Sequence, residues 1–357
     1  MRAERRLTLA GRCRHLTRAT LFSAIVAVAA CGRGTGTTRV VIPPGATFRV
    51  AADSLHRAGM IGSTRLFRMY ASLSGHDRRI RAGTYVMSRG MSWPAVVSAL
   101  TQGTGLIRAV TIPEGFAIAD IAPLLARTLG VEEDSVLVAT RDSAMRERLD
   151  VPTPTLEGYL FPDTYAFPDG TTGRAAVETM VKRFEQVWQP AWNEKLQQMA
   201  LTRHDIITLA SIVEKEAKLP AERPVIAAVY LNRLRIGMRL QADPTVQYAL
   251  GRHSSRLFYK DLRVDSPYNT YVHAGLPPGP IASPGRASII ASVDPAAVPY
   301  RYFVAHPDGH HEFHVDYKSH ELAVAAVRRE RDALARAAEG SLPNAAPPSR
   351  GSRPRRR

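Results

Sequence analysis

The chain has 357 residues, 45% of them apolar, and a formal net charge of +16. That length suffices for two domains with real cores, and with only Cys13 and Cys31 the body of the chain has neither a disulfide framework nor a thiolate metal site. The charge gathers at the ends, in Arg2, Arg5, Arg6, Arg12, Arg14 and Arg18 and again in Arg350, Arg353, Arg355, Arg356 and Arg357; no basic helix or aromatic–basic ladder lies between, so nucleic-acid binding is not expected and anionic lipid or wall polymer accounts for the charge.

The start reads as a targeting segment. Basic residues through Arg18 precede an apolar run over 21–30. That run is short for a membrane span of about 20 residues and suits the core of a signal sequence. It ends in Val28-Ala29-Ala30-Cys31, which resembles a bacterial lipobox, with Cys31 as the lipidated residue. The rival is an uncleaved span over 20–36. Both readings export the rest of the chain and tether it, and both assign 1–38 to anchor and linker.

The next unit is expected over 39–105. Short strands at 39–42 and 48–50 flank a Pro43-Pro44-Gly45 turn, helices follow over 52–59 and 62–72, a turn and strand over 81–87, and a closing helix over 93–100. The phrases IPPGAT and RAGTYVM in that order resemble the LysM-like subdomain found ahead of certain wall-cleaving enzymes.

A larger mixed domain is expected over 106–338, giving an α+β chain overall. It opens with a strand at 108–112 and helix-rich sequence over 118–150. A loop loaded with aromatics follows over 156–167, then one long amphipathic helix over 173–199. Shorter helices over 205–217 and 224–234 are divided near Leu219-Pro220. A polar loop region covers 239–291. Residues 302–305 and 312–315 alternate like a hairpin around Asp308-Gly309, and a helix over 319–338 has Ser319 near its cap. The Pro, Ala, Ser and Arg-rich tail over 339–357 is expected to be disordered.

The chemistry gathers at Glu214-Lys215-Glu216. At roughly 100° per residue, Ile206, Ala210, Val213 and Ala217 form one stripe that should face a core, and the two glutamates flank it at roughly 80° on opposite sides. Glu216 shares its side with Leu209 and Ile212. Partial desolvation there would raise its pKa, as a general acid for a glycosidic oxygen requires. Periodicity does not choose between Glu214 and Glu216, and Glu-Lys-Glu also suits a solvated helix end.

Asp243 is a second carboxylate of the kind an ordinary glycosidase needs, or a cap for a helix over 245–250. Gln241, Tyr268, Asn269, Thr270 and Tyr271 offer amide, hydroxyl and ring surfaces to an N-acetylated sugar. Asn269 would hold substrate or steady the positive charge at the anomeric carbon; Tyr268 and Tyr271 equally suit packing. Arg223 and Arg233 would meet peptide-stem carboxylates or pair with Glu214 and Glu222. Glu157 is expected to anchor its loop. His306, His310, His311, His314 and His320 lack a strict ligand spacing, so no metal or other cofactor is expected.

Several long motifs carry a resemblance. LASIVEKEA at 209–217, ERPVIAAVYLNRLRIGMRLQADPTVQYALG at 222–251 and SPYNTYVHAGLPPGPIASPG at 266–285 are the densest part; LEGYLFPDTYAF at 156–167 and a spaced histidine pattern with His311 and His320 belong to the same set. The chain resembles the MltG (YceG-like) endolytic murein transglycosylase family over about 40–338.

The resemblance implies that Glu216 is the catalytic acid. It implies cleavage of the β-1,4 bond between N-acetylmuramic acid and N-acetylglucosamine in nascent strands, leaving 1,6-anhydro-N-acetylmuramic ends. That is a lyase reaction which would end strand elongation beside peptidoglycan synthases (penicillin-binding proteins), outside a bacterial cell membrane. The lipobox-like anchor and the Arg-rich tail depart from the family pattern. The rivals are a hydrolytic muramidase using Glu216 with Asp243 and a non-enzymatic peptidoglycan-binding protein.

Overall fold

A computed structural model describes residues 36–76, 80–251 and 257–340. The targeting segment, Cys31 and the tail beyond 340 lie outside the described residues. The chain divides into two units, the first built from Met1–Ile112, Ala122–Val136 and Asp163–Ala176, the second from the intervening stretches and Val177–Arg357. Among the described residues no helix is long and apolar enough to cross a membrane.

The first unit holds a four-stranded antiparallel sheet in the order β1 (Thr37–Ile42), β2 (Gly83–Ser88), β3 (Leu106–Thr111), β4 (Thr164–Pro168). The boundary expected between 105 and 106 therefore falls inside one sheet, where Tyr85 stands opposite Leu106. β4 lies in the segment expected to be a loop. Its alternation, with Tyr165 and Phe167 buried and Thr164, Ala166 and Pro168 exposed, is the period of a strand.

Phe48, Arg49 and Val50, expected in a strand, instead open α1 (Phe48–Arg57). The Thr47 hydroxyl accepts from the Val50 amide and Phe48 turns into the core. Ser63 caps α2 (Thr64–Leu73) in the same way, and α3 (Trp93–Gln102) ends on Gly103 in the left-handed region, φ 83°. These helices bury Leu55, Phe67 and Leu100 against Val40, Ile42 and Tyr85 of the sheet. Phe67 stacks on Phe48 at 5.6 Å and meets Trp93 edge-on at 5.7 Å.

Next along the chain come α4 (Ile118–Leu129), α5 (Glu133–Ala139) and α6 (Ser143–Arg148). The single helix expected over 173–199 is two, α7 (Gly173–Val187) and α8 (Trp192–Met199). Pro190 lacks an amide hydrogen and disfavours helical backbone before it, so the helix stops there.

The second unit is built around α9 (Arg203–Glu216), α10 (Arg223–Arg235), α11 (Asp243–Ala249) and α12 (Arg286–Val293). A hairpin of β5 (Tyr302–Ala305) and β6 (His311–His314) and the helix α13 (Tyr317–Gly340) follow. Asp316, not Ser319, caps α13: the Ser319 amide and hydroxyl both donate to its carboxylate, at 2.9 and 2.8 Å.

Gly158 precedes the aromatic turn of this unit with φ 83°, and a Cβ there would lie 2.4 Å from Cβ of Pro280. Neither the backbone nor the proline ring can yield cheaply. Gly158→Ala is expected to cost about 2–4 kcal/mol in urea denaturation. An unchanged midpoint would contradict this close approach.

Candidate active site

α9 is held at its start by a reciprocal cap, the Thr202 hydroxyl accepting from the Asp205 amide while the Asp205 carboxylate accepts from the Thr202 amide. The expected single apolar stripe understates its surroundings. Every residue from Ile206 to Val213 is buried, so the helix is enclosed on all faces. Its first turn, Arg203 to Asp205, and its last, with Glu214, Lys215 and Glu216, are half-buried, and the last is the one that brings carboxylates to the edge of the core.

The two glutamates then separate in role. Glu214 Oε1 pairs with Arg223 at 3.3 Å, while its Oε2 accepts from the Gly285 amide at 3.0 Å and the Ser288 hydroxyl at 2.7 Å. With all these donors it locks the start of α12 to the end of α9. Glu114 lies over the same corner; burial first, then the Glu214 charge, pushes its pKa up. It approaches Gly285 so closely that a side chain there would displace it.

Among the described residues Glu216 has one donor, the Tyr230 hydroxyl at 3.0 Å from Oε1. The residue as a whole is half-buried, and protein crowds its carboxyl. Burial pushes its pKa up to about 7. The Tyr230 hydrogen bond and the Arg233 charge work against that rise, and the Asp243 charge adds to it. At neutral pH the group is therefore divided between acid and carboxylate, the condition for both giving and taking a proton.

Asp243 is the first residue of α11, which Ala242 precedes, so it does not cap the helix as expected. It accepts from the Tyr271 hydroxyl at 2.6 Å. Arg233 is buried and, among the described residues, pairs with no carboxylate: Nε donates to the Arg301 carbonyl at 2.6 Å, Nη1 donates to the Leu240 carbonyl, and the guanidinium lies over the Tyr302 ring at 5.6 Å. Its charge still bears on Glu216. Glu222 likewise goes to His311, accepting from its amide at 2.9 Å and meeting Nδ1 at 2.7 Å.

The loop after α11 contributes less chemistry than expected. Asn269 is fully buried; its amide donates to the Leu262 and Val264 carbonyls at 3.1 and 2.8 Å, and its Oδ1 accepts from the Tyr271 amide at 3.0 Å. It cannot hold substrate without breaking the loop. Thr270 is also buried and accepts from the Ala242 amide at 3.0 Å, joining the loop to the start of α11. Both residues shape the site instead of lining it. Tyr268 is half-buried with its ring 4.9 Å from Tyr248. Gln241 is exposed with φ 50°, a strained value for a residue with a side chain, and its amide donates to the Thr270 carbonyl at 3.1 Å.

Glu157 is the other acid that burial pushes up to about 7. It is only 5% exposed, and both carboxyl oxygens lie 3.1 Å from the Ile118 amide, so it ties its loop to the start of α4. Tyr248 donates to it at 3.4 Å.

Among the described residues no group of three or more His, Cys, Asp or Glu side chains is placed to hold a metal ion. His306 lies between Glu312 and Glu330, and His314 Nε2 lies 3.4 Å from Glu312 without the geometry of a hydrogen bond.

Tyr230 is the participant that sequence reasoning misses. It sits in the apolar run of α10, 1% exposed, and its ring meets Phe303 edge-on. A buried tyrosine needs a partner for its hydroxyl, which is the available signal. Because its hydrogen bond favours the ionised form of Glu216, Tyr230→Phe should extend activity to higher pH. The ratio of turnover at about pH 8 to that at about pH 6 is expected to rise severalfold, up to about tenfold. A ratio that stays flat or falls would show that Tyr230 does not tune Glu216.

The model of the YceG-like family matches 40–326. An endolytic murein transglycosylase of Bacillus subtilis is 34% identical over 303 residues, 80% of this chain and 84% of its own length. One of Streptococcus pneumoniae is 29% identical over 297 residues, 74% of this chain and 54% of its own length, so the match spans about half of that relative. A crystal structure of a yceG-like protein from Listeria monocytogenes superposes with a TM-score of 0.58 at 32% identity, covering 80% of this chain and 98% of that one.

Proposed function

The chain belongs to the YceG-like family, and from that membership we infer that it is an endolytic murein transglycosylase, a lyase acting on peptidoglycan. The observation that carries the chemistry is one half-buried carboxyl, Glu216, poised near neutrality beside a single hydroxyl donor.

Glu216 protonates the oxygen between muramic acid and glucosamine as the bond to the anomeric carbon breaks. The carboxylate then takes the proton from the C6 hydroxyl of the muramic ring. That oxygen attacks the anomeric carbon and closes the 1,6-anhydro ring. The proton returns to Glu216, no water is consumed, and one carboxyl serves both steps. Asp243, held by Tyr271, supports the first step by keeping the proton on Glu216. Gln241, exposed beside Asp243, and the rings of Tyr268 and Tyr271 are the surfaces left for the sugar.

The substrate is the glycan strand, and the placement is the outer side of a bacterial cell membrane beside peptidoglycan synthases. The basic stretch, apolar run and Cys31 of the sequence support a tether of either kind. The strand–helix–helix–strand segment from β1 to β2 is read as the LysM-like subdomain.

Digestion of purified murein in water labelled with heavy oxygen tests the reaction. The expected fragments end in anhydro sugars and carry no label. Labelled reducing ends would replace the transglycosylase with a muramidase, and an absence of fragments would leave only a binding protein.

A further inference from the structure

Three arginines of the first unit stand together, and among the described residues none of them is in an ion pair, although Asp53 lies one turn along the helix from Arg49. Arg65 and Arg68 on α2 and Arg49 on α1 line an open groove of about 600 Å3, with Thr47, Met69 and Ser72 in its wall. All three arginines are exposed, and among the described residues none makes an ion pair or a side-chain hydrogen bond. Arg65 and Arg68 are one turn apart, where like charges repel. The fold gains nothing from this grouping, so its natural complement is an external anion.

The same helix face is apolar as well as cationic. Leu66 is 42% exposed, Met69 45% and Leu73 72%, with Val50 of α1 nearby in sequence to Arg49 at 38%. The inner face is made by other residues, Phe67 and Ala71, which are fully buried, with Tyr70 packed beside them. α2 thus has one apolar face turned inward and a second, mixed with guanidiniums, turned outward. Long apolar side chains interleaved with arginine fit the boundary between phosphate headgroups and acyl chains, and a free polyanion has no use for the leucines.

Chain length points the same way. Six residues separate the apolar run ending at Ala30 from β1. They reach at most about 22 Å, so a membrane that holds the run also holds this unit against its surface.

We propose that the outer face of α2, together with Arg49, is a docking surface for the anionic phospholipid headgroups of the bilayer that tethers the chain. This rests on the proposed membrane tether and is independent of the chemistry at Glu216.

The test is hydrogen exchange on the full chain reconstituted in nanodiscs, of phosphatidylcholine alone or mixed with phosphatidylglycerol. The tether is then present in both. Exchange over 64–73 is expected to slow by about fivefold in the anionic discs, with α3 of the same unit unchanged. The combined variant Arg49→Gln, Arg65→Gln, Arg68→Gln should lose that difference, and Leu66→Ser with Leu73→Ser should weaken it. All five side chains are exposed, so the variants keep the core.

Equal exchange over 64–73 in the two disc types would overturn the proposal. So would equal protection in neutral discs by soluble poly(glycerol phosphate), which would make the ligand a wall polymer. Cleavage of purified murein by the triple arginine variant is expected to match wild type, which separates failure of this surface from failure of the catalytic reading.

Discussion

Glu216→Gln is expected to abolish strand cleavage, lowering turnover by at least about a thousandfold with the fold intact. Glutamine keeps the shape of the side chain and still offers an oxygen to the Tyr230 hydroxyl. It has no proton to give to a glycosidic oxygen and cannot take one from the C6 hydroxyl. Both halves of the reaction pass through that one group, so neither survives.

The same variant should be more stable than wild type at alkaline pH. Folding raises the Glu216 pKa from its ordinary 4.5 to about 7, chiefly by burial. A raised folded value means that the folded chain holds the proton more tightly than the unfolded chain. The stability this gives is fully present below about pH 4.5 and is lost as the pH rises through about 7. Above that, wild type bears the cost of a partly buried charge, at most about 3 kcal/mol. Glu216→Gln removes that cost. Urea midpoints should coincide near pH 4.5 and favour the variant near pH 8, and equal midpoints at both would show that the carboxyl is not perturbed.

Arg233→Met is expected to destabilise the second unit by about 3 kcal/mol or more. The guanidinium donates to the carbonyls of Leu240 and Arg301, one just ahead of α11 and the other at the start of the hairpin. Hydrogen bonds from a charged donor are worth about 1.5–3 kcal/mol each, and their loss leaves carbonyls unsatisfied. Methionine keeps much of the buried stem, so the loss reports the fork itself. Lysine, with a point charge in place of the fork, should restore only part of it. Removing the cation also takes away a charge that favours ionised Glu216, so residual activity should extend to higher pH. Stability within about 0.5 kcal/mol of wild type would contradict the anchoring role.

Much of the site was legible in the chain because its signals are local. The helix carrying Glu216 and the turn of the β5–β6 hairpin lie within short motifs whose periodicity or turn chemistry can be read directly, whereas the choice of Glu216 over Glu214 rests on the family resemblance. What was not legible depends on distant partners. β4 hid because its Tyr and Phe residues read as a sticky loop until β3 stood opposite them. Arg233 was expected to seek a carboxylate, yet its acceptors include a carbonyl 68 residues away. Asn269 was expected to face substrate, yet its amide is used up inside its own loop. Tyr230 looked like core packing, and only the fold brings Glu216 within reach of its hydroxyl.

The proton on Glu216 can be followed directly. Isotope-edited NMR or difference infrared titration, wild type against Glu216→Gln, isolates the signal of this one carboxyl. A midpoint of about 7 is the expected result. A midpoint at the ordinary value of 4.5 would mean a carboxylate at working pH, with no proton to hand to the departing sugar.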